Sequence, residues 1–262
     1  MNIFVCIKQV PNTAKVKWDL ERGTLIREGV ESICNPFDLH AIEEALRVKE
    51  RTGKGKVLVL TMGPPQAEEV LKEAISLGAE DGILISDRAF AGADTLATSY
   101  TLSKAIEKIG NPWIIFTGKQ AIDGDTAQVG PELAAMLKIP QVTYVRKIVE
   151  INENNAVMER LTDYGYDVVE TSLPAVLTVV KEINEPRLPS LRGKMKARTF
   201  KPVVFTSRDL DVDESRIGLQ GSPTNVKKVF QPEMKKGGEK FEGSAEELAL
   251  ILVEKLKELG VI

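Results

Sequence analysis

Pro112–Pro140 reads PWIIFTGKQAIDGDTAQVGPELAAMLKIP. Its first seven residues are apolar and rich in β-branched and aromatic side chains, the pattern of a strand buried on both faces. Its end carries apolar residues at helical spacing, with Val129, Leu133, Met136 and Leu137 on one stripe. Between them lies a loop of small and polar residues, Thr117–Glu132, holding Asp123 and Asp125 and no His, Cys or serine nucleophile. Strand, short loop and helix in that order make half of a parallel βαβ unit.

The same alternation runs upstream. NIFVCIK (2–8), KVLVLTM (56–62) and GILIS (82–86) read as further buried parallel strands. Asp38 is a candidate cap for a helix whose Leu39, Ile42 and Leu46 share a face. Pro64 and Pro65 open the next helix, with Ala67, Val70, Leu71, Ala74 and Leu77 inward and Gly78 as its stop. Asp94 or Thr95 begins a third, with Leu102, Ile106 and Ile109 on one stripe. The fold class expected is α/β, an open doubly wound parallel sheet of the Rossmann-like kind.

From about Val142 the pattern changes. VTYVRKIVEI, AVMERLT and DVVETSL are separated by ENN and DYGY, turn chemistry that predicts an antiparallel addition. LPAVLTVVKEI returns to a strand. After Pro202 periodicity is lost over about 35 residues, a length unusual inside a compact domain. This predicts a nucleotide-binding domain over 1–205 and an extended C-terminal arm with a helix over 206–262. Ser244 and Glu247 make a capping box, and Leu248, Leu252, Lys255 and Leu259 line one helix face.

Composition narrows the function. Of 262 residues, 43% are hydrophobic and 28% charged, and the net charge is −3, so no nucleic-acid partner is indicated. Cys6 and Cys34 lack a paired spacing and read as free thiols of a reducing compartment. The start MNIFVCIKQV does not fit a signal peptide, and no apolar run approaches the ~18 residues of a membrane span. A cytoplasmic or organelle-matrix location is the default expectation. His40 is the sole histidine and has no acid–base partner in reach of sequence reasoning. The carboxylates of HAIEEALRVKE read as a helix exterior, with Glu43 and Arg47 at i,i+4. No cluster fits a metal site.

In an open α/β sheet, ligands bind beyond the carboxyl ends of the strands. The loop after PWIIFTG ends a strand and opens a helix, so its amides suit a phosphate. Gly118, Gly124 and Gly130 allow close approach. Asp123 and Asp125 would repel phosphate; they cap backbone amides or accept from ribose hydroxyls. Neither GxGxxG nor GxxxxGK[ST] is present. CIKQVPN, CNPFD and TMGPPQ add three more such loops to one rim, a cleft for an adenine nucleotide.

These residues resemble a known family. CIKQVP, ICNPFDLHAIEEALRVKE, MGPPQAEEVLKEAISLGAEDGI, GKQAIDGDTAQVGPELA and PAVLTVVKEINEPRLPSLRGKMKA occur in this order in the β subunit of electron transfer flavoproteins. The resemblance implies a heterodimer with an FAD-carrying α subunit, onto which the C-terminal arm crosses. It implies a nucleotide on this chain, AMP in the common type, touching Cys6, Asn35, Pro36, Phe37, Asp38 and Met62. The same contacts run along Gly118, Lys119, Gln120, Ala121, Ile122, Asp123, Gly124, Asp125, Thr126, Ala127, Gln128 and Val129.

The common type has Asn-Gln-Thr where this chain has Ala127-Gln128-Val129, which removes two side-chain donors from a terminal phosphate. DGDTAQVGP is similar to the electron-bifurcating members, in which FAD replaces AMP and NADH is the electron donor. A non-redox adenine-nucleotide-binding module is the alternative of a different class. The resemblance also implies a docking segment for a flavin dehydrogenase, such as acyl-CoA or lactate dehydrogenase. Leu191 is its anchor, with Pro189, Arg192, Lys194 and Met195 around it. Arg192, Lys194, Lys196 and Arg198 alternate and share a face if this segment is extended; the alternative is a strand edge blunted by lysines.

Overall fold

The computed structural model describes residues 1–12, 17–19, 24–26, 32–227 and 238–262. The chain forms two compact units, Met1–Asn225 and Val226–Ile262.

The central sheet of the first unit has nine strands. In chain order these are β1 (Asn2–Cys6), β6 (Lys56–Met62), β7 (Asp81–Ile85), β8 (Pro112–Gly118), β9 (Gln141–Ile151), β10 (Asn155–Thr162), β11 (Gly165–Ser172), β12 (Ala175–Val179) and β13 (Val203–Phe205). Across the sheet they lie in the order β11-β10-β9-β12-β8-β1-β6-β7-β13. From β9 to β13 all neighbours are parallel. β10 runs antiparallel to β9 and β11, which is the predicted antiparallel addition. Two short antiparallel pairs were not legible as strands: β2 (Gln9–Pro11) with β5 (Ser32–Cys34), and β3 (Lys17–Asp19) with β4 (Thr24–Ile26).

The helices cover both faces. α1 (Pro36–Thr52) and α2 (Glu68–Leu77) share one core with Ile3, Val5, Val57, Val59, Ile114 and Phe116. α3 (Thr95–Ile109) and α4 (Val129–Leu137) share the other with Phe4, Leu58, Leu60, Ile115 and Val176. Residues of each central strand alternate between the two cores, and both sets are apolar because both faces are covered. Gly78 ends α2, and Asp94 caps α3 by accepting from the Ala97 N–H at 3.1 Å. β1 pairs with β6 on one side and β8 on the other, so the winding reverses between β1 and β8. In open α/β sheets that point, outside the carboxyl ends of the strands, is where ligands bind.

Three expectations are corrected. Asp38 does not cap α1: the cap position is Asn35, and the Asp38 carboxylate reaches across to other elements. The basic stretch after Ser190 is not extended but forms α5 (Leu191–Thr199), so Arg192, Lys194, Lys196 and Arg198 do not share a strand face. The Ser190 hydroxyl accepts from the Gly193 N–H at 2.9 Å, and Ala197 buries a contact on the core, which selects helix over strand. Glu43 and Glu44 do not lie on the helix exterior; both are buried.

The expected boundary after residue 205 falls inside the first unit. Residues 206–225 form a strap fixed by Leu210 and Ile217, 5% and 4% exposed. Ser207 donates to Asp87, and the Thr224 N–H and hydroxyl donate to Asp94. The second unit holds α6 (Ala245–Glu258), with the predicted capping box between Ser244 and Glu247 present. Residues 228–237 of the expected arm lie outside the described residues.

Candidate functional site

The predicted loops gather at the β1–β8 switch point. Cys6 and Gly118 end adjacent parallel strands, β1 and β8, and Met62 ends β6 on the other side of β1. Asn35, Pro36, Phe37 and Asp38 open α1 beside them. The loop Lys119–Gln128 then leads to Val129, the first residue of α4. The structure therefore gathers every residue of the expected nucleotide set on one rim.

Asp38 sits at the centre, 5% exposed. Its Oδ2 accepts from the Lys8 N–H at 2.7 Å, and its Oδ1 accepts from the Gly118 N–H at 3.1 Å and from Asn35 Nδ2 at 2.9 Å. Burial pushes this carboxyl up to about 7, outweighing the three donors that favour its charge. Asn35, 1% exposed, spends the rest of its amide on the loop. Its Nδ2 also donates to the Gln120 carbonyl at 2.8 Å, and its Oδ1 accepts from the Ile122 N–H at 3.2 Å. Gly118 is required: a Cβ there would lie 2.4 Å from Asp38 Oδ1 and 2.7 Å from Phe37 Cβ.

The acids of the loop have protein partners. Asp123 pairs with Lys8 Nζ at 2.8 Å, and Asp125 accepts from the Gln120 side chain. Among the described residues neither accepts from a backbone amide, one of the two roles expected for them. Asp125 and Ala127 both adopt left-handed φ, 55° and 54°. Among the described residues, the N–H groups of Thr126, Ala127, Gln128 and Val129 make no hydrogen bond. They stand at the N-terminus of α4, which makes four open donors beside a positive helix end. Gln128 Oε1 lies 3.1 Å from the Thr95 hydroxyl, which also meets Glu132 at 3.1 Å. Lys119 Nζ lies 5.6 Å and 5.5 Å from the ring centres of Phe37 and Tyr144.

Cys6 is buried at the end of β1. Burial, reinforced by Asp38, pushes its thiol up to about 12, so it stays protonated at neutral pH. His40 Nδ1 faces the Asn184 carbonyl at 3.0 Å, a structural contact. Among the described residues no group of acids, histidines and cysteines gathers to hold a metal ion. None of the described helices is long and apolar enough to cross a membrane.

The docking residues are not brought to this rim. Pro189 is half-buried, and Leu191, Arg192, Lys194 and Met195 are exposed on and before α5, which packs on α2. Leu188, Leu191 and Met195 are 89%, 79% and 63% exposed. Their base is held by groups that sequence reasoning assigned to solvent. Arg187 Nε donates to Glu43 at 2.7 Å and Nη1 to Glu50 at 2.6 Å, while Asn184 Nδ2 donates to Glu44 at 3.0 Å. Burial alone would raise Glu43; the Arg187 and Arg47 guanidinium groups outweigh it and hold the carboxyl below its ordinary range. A signal for this was present: Glu43 is four residues after Leu39 and three before Leu46, on the inward stripe of α1.

Comparisons with known proteins agree with this geometry. Residues 22–210 match the electron transfer flavoprotein domain. The chain is 52% identical to electron transfer flavoprotein subunit beta of Thermoanaerobacterium thermosaccharolyticum, over 100% of both chains. It is 48% identical to caffeyl-CoA reductase-Etf complex subunit CarD of Acetobacterium woodii, again over 100% of both. It is 46% identical to protein FixA of Azorhizobium caulinodans, covering 88% of this chain and 85% of that one. With the doubly wound sheet and these matches in hand, the chain belongs to the β-subunit family of electron transfer flavoproteins.

Proposed function

We propose that this chain is the β subunit of an electron-bifurcating flavoprotein. It holds FAD in the switch-point cleft and works between NADH, the FAD of its α subunit and a partner dehydrogenase in the cytoplasm. The observation that carries this reading is the Thr126–Val129 turn. It offers four open backbone donors at a helix end, and at Ala127 and Val129 no side-chain donor closes the site around a terminal phosphate. A pyrophosphate continuing into more cofactor fits such an open cradle. The bound flavin would supply hydride acceptance and single-electron transfer, chemistry for which this chain has no group of its own.

The chain's residues have binding and orienting roles in this reading. The Thr126–Val129 amides face the phosphates, and Thr95 orients the Gln128 amide at the same turn. Phe37 and Lys119 border the mouth. Leu191, with Pro189, Arg192, Lys194 and Met195, forms the surface for the dehydrogenase; exposed apolar side chains in a basic rim suit a docking anchor. The relative from Acetobacterium is named as part of a caffeyl-CoA reductase complex, which favours a dehydrogenase of CoA esters as that partner.

Co-purification with the α subunit, followed by extraction of the nucleotides, tests the reading. Two FAD per heterodimer is the expected result. One FAD with one AMP removes bifurcation and leaves a simple electron carrier. A colourless complex without adenine nucleotide removes both.

A further inference from the structure

The geometry points to Asp38, acting with Asn35, as a positioning residue that presets the nucleotide loop without itself touching the ligand. The inference rests on the reading of the cleft as a nucleotide site and assigns these two residues a different task within it.

Four tethers hold the stretch from Gly118 to Asp123, and all converge on one small group. The Gly118 N–H donates to Asp38, the Gln120 carbonyl accepts from Asn35, the Ile122 N–H donates to Asn35, and Asp123 pairs with Lys8. Lys8 is itself fixed through its backbone N–H to Asp38, and Asn35 through its backbone N–H to the Lys8 carbonyl. The carboxylate thus ties the loop after β1, the start of α1 and the end of β8 into one rigid corner. Its oxygens are committed inward to three donors, and only 5% of the residue is exposed, which leaves little of it for a ligand. A carboxylate in contact with a phosphate would also be repulsive, and that repulsion falls with distance as the loop stands between the two.

The bland explanation is a buried polar group that merely satisfies its neighbours. The convergence argues for more. None of the four tethered groups belongs to a regular ladder of the sheet except Gly118, and the tethers end where the open amides of Thr126–Val129 begin. A loop of small residues with two left-handed positions has many conformations available when free. If the binding-competent form is only a fraction of the population, the apparent affinity falls by that fraction.

The test uses the complex of this chain with its α subunit, with FAD and AMP as separate probes and hydrogen exchange as a second readout. Asp38→Asn puts an amide NH2 opposite one of the N–H groups that Asp38 accepts from. Its expected effect is a dissociation constant for the better probe raised about 10-fold or more, the scale of one unsatisfied buried group. Exchange at Gly118–Asp125 rises at least as much, while the amides of β1 and β6 stay protected and the flavin of the α subunit is retained. Binding within about twofold of wild type with an unchanged loop overturns the inference. A general loss of protection across the sheet also overturns it, because the role is then structural. Should Asp38→Asn fail to assemble, Asn35→Ala carries the same thresholds; it cuts the Gln120 and Ile122 tethers and leaves Asp38 with two backbone donors. If wild type binds neither probe, the cleft reading fails first and the positioning role with it.

Discussion

Asp38 was legible as a residue but not as a role. A carboxylate at the start of a helix reads as a cap, because sequence shows what is near in the chain and not what lies across the sheet. The structure sends it to Lys8 and Gly118, 30 and 80 residues away in sequence. Burial raises its pKa to about 7 from an ordinary value near 3.8. A carboxyl raised on folding stabilises the fold while protonated, and that contribution is lost as pH rises from about 4 through 7. We expect stability in urea to decline across pH 5.5–7 by up to about 1.4 kcal/mol per unit from this group, and the decline to be shallower in Asp38→Asn, where the raised Glu44, Glu73 and Glu132 remain. A wild-type profile as flat as the variant's there would show that the donors hold Asp38 charged throughout. Gly118 is the matching residue on the strand. Gly118→Ala drives a Cβ into Asp38 Oδ1 and the Phe37 backbone, within 2.9 Å of its carbonyl carbon. About 1–3 kcal/mol of destabilisation is expected in the same assay, and an unchanged midpoint would mean that the corner gives way freely.

At the scale of elements, α5 and the segment before it form the docking candidate. The family resemblance points to the leucine, and the helix beneath it is not legible in the sequence. Alternating basic residues suggested a strand, yet Ser190 caps a helix and Gly193 lets it seat on α2: a Cβ there would lie 2.1 Å from the Ser76 carbonyl oxygen. The helix directs Leu191 and Met195, four residues apart, to one side. Leu191→Ala should slow electron transfer to the partner dehydrogenase about 10-fold or more, the scale of a hot-spot side chain, with the flavin content unchanged. Equal turnover in stopped-flow traces would end the assignment of Leu191 as an anchor. Upstream, Arg187 ties the segment to Glu43 and Glu50 on α1. Arg187→Met leaves the buried Glu43 with Arg47 alone. The expected consequence is faster protease cleavage between Asn184 and Ser190 with the core fold intact. Cleavage at the wild-type rate would mean that the prolines, not the ion pairs, hold the segment. The strands of the doubly wound sheet were easier to read than either feature, because each is a continuous apolar run whose burial needs no knowledge of its neighbours.

On the scale of the whole molecule, the division of labour follows from where apolar surface is left uncovered. The first unit closes two cores around its sheet, and the strap over 206–225 belongs to it through Leu210 and Ile217. That strap looked like free arm in sequence because four apolar residues in twenty, Leu210, Val212, Ile217 and Leu219, carry no period; only their contacts reveal their side. Among its described residues the second unit has no comparable core. None of the residues of α6 is buried, and Leu250, Leu252 and Leu259 are 68%, 59% and 74% exposed. Burying a leucine is worth about 1.5–3 kcal/mol, so three of them on a partner supply several kcal/mol toward association. A chain ending at Asn225 is therefore expected to keep the far-UV circular dichroism and cooperative melting of the α/β unit, since both cores remain. It is expected to lose co-elution with the α subunit in size-exclusion chromatography, or to bind it at least 100-fold more weakly, a loss of about 2.7 kcal/mol. If the shortened chain assembles as well as the full one, the exposed leucines of α6 contribute nothing to the heterodimer, and its affinity resides in the surface of the first unit.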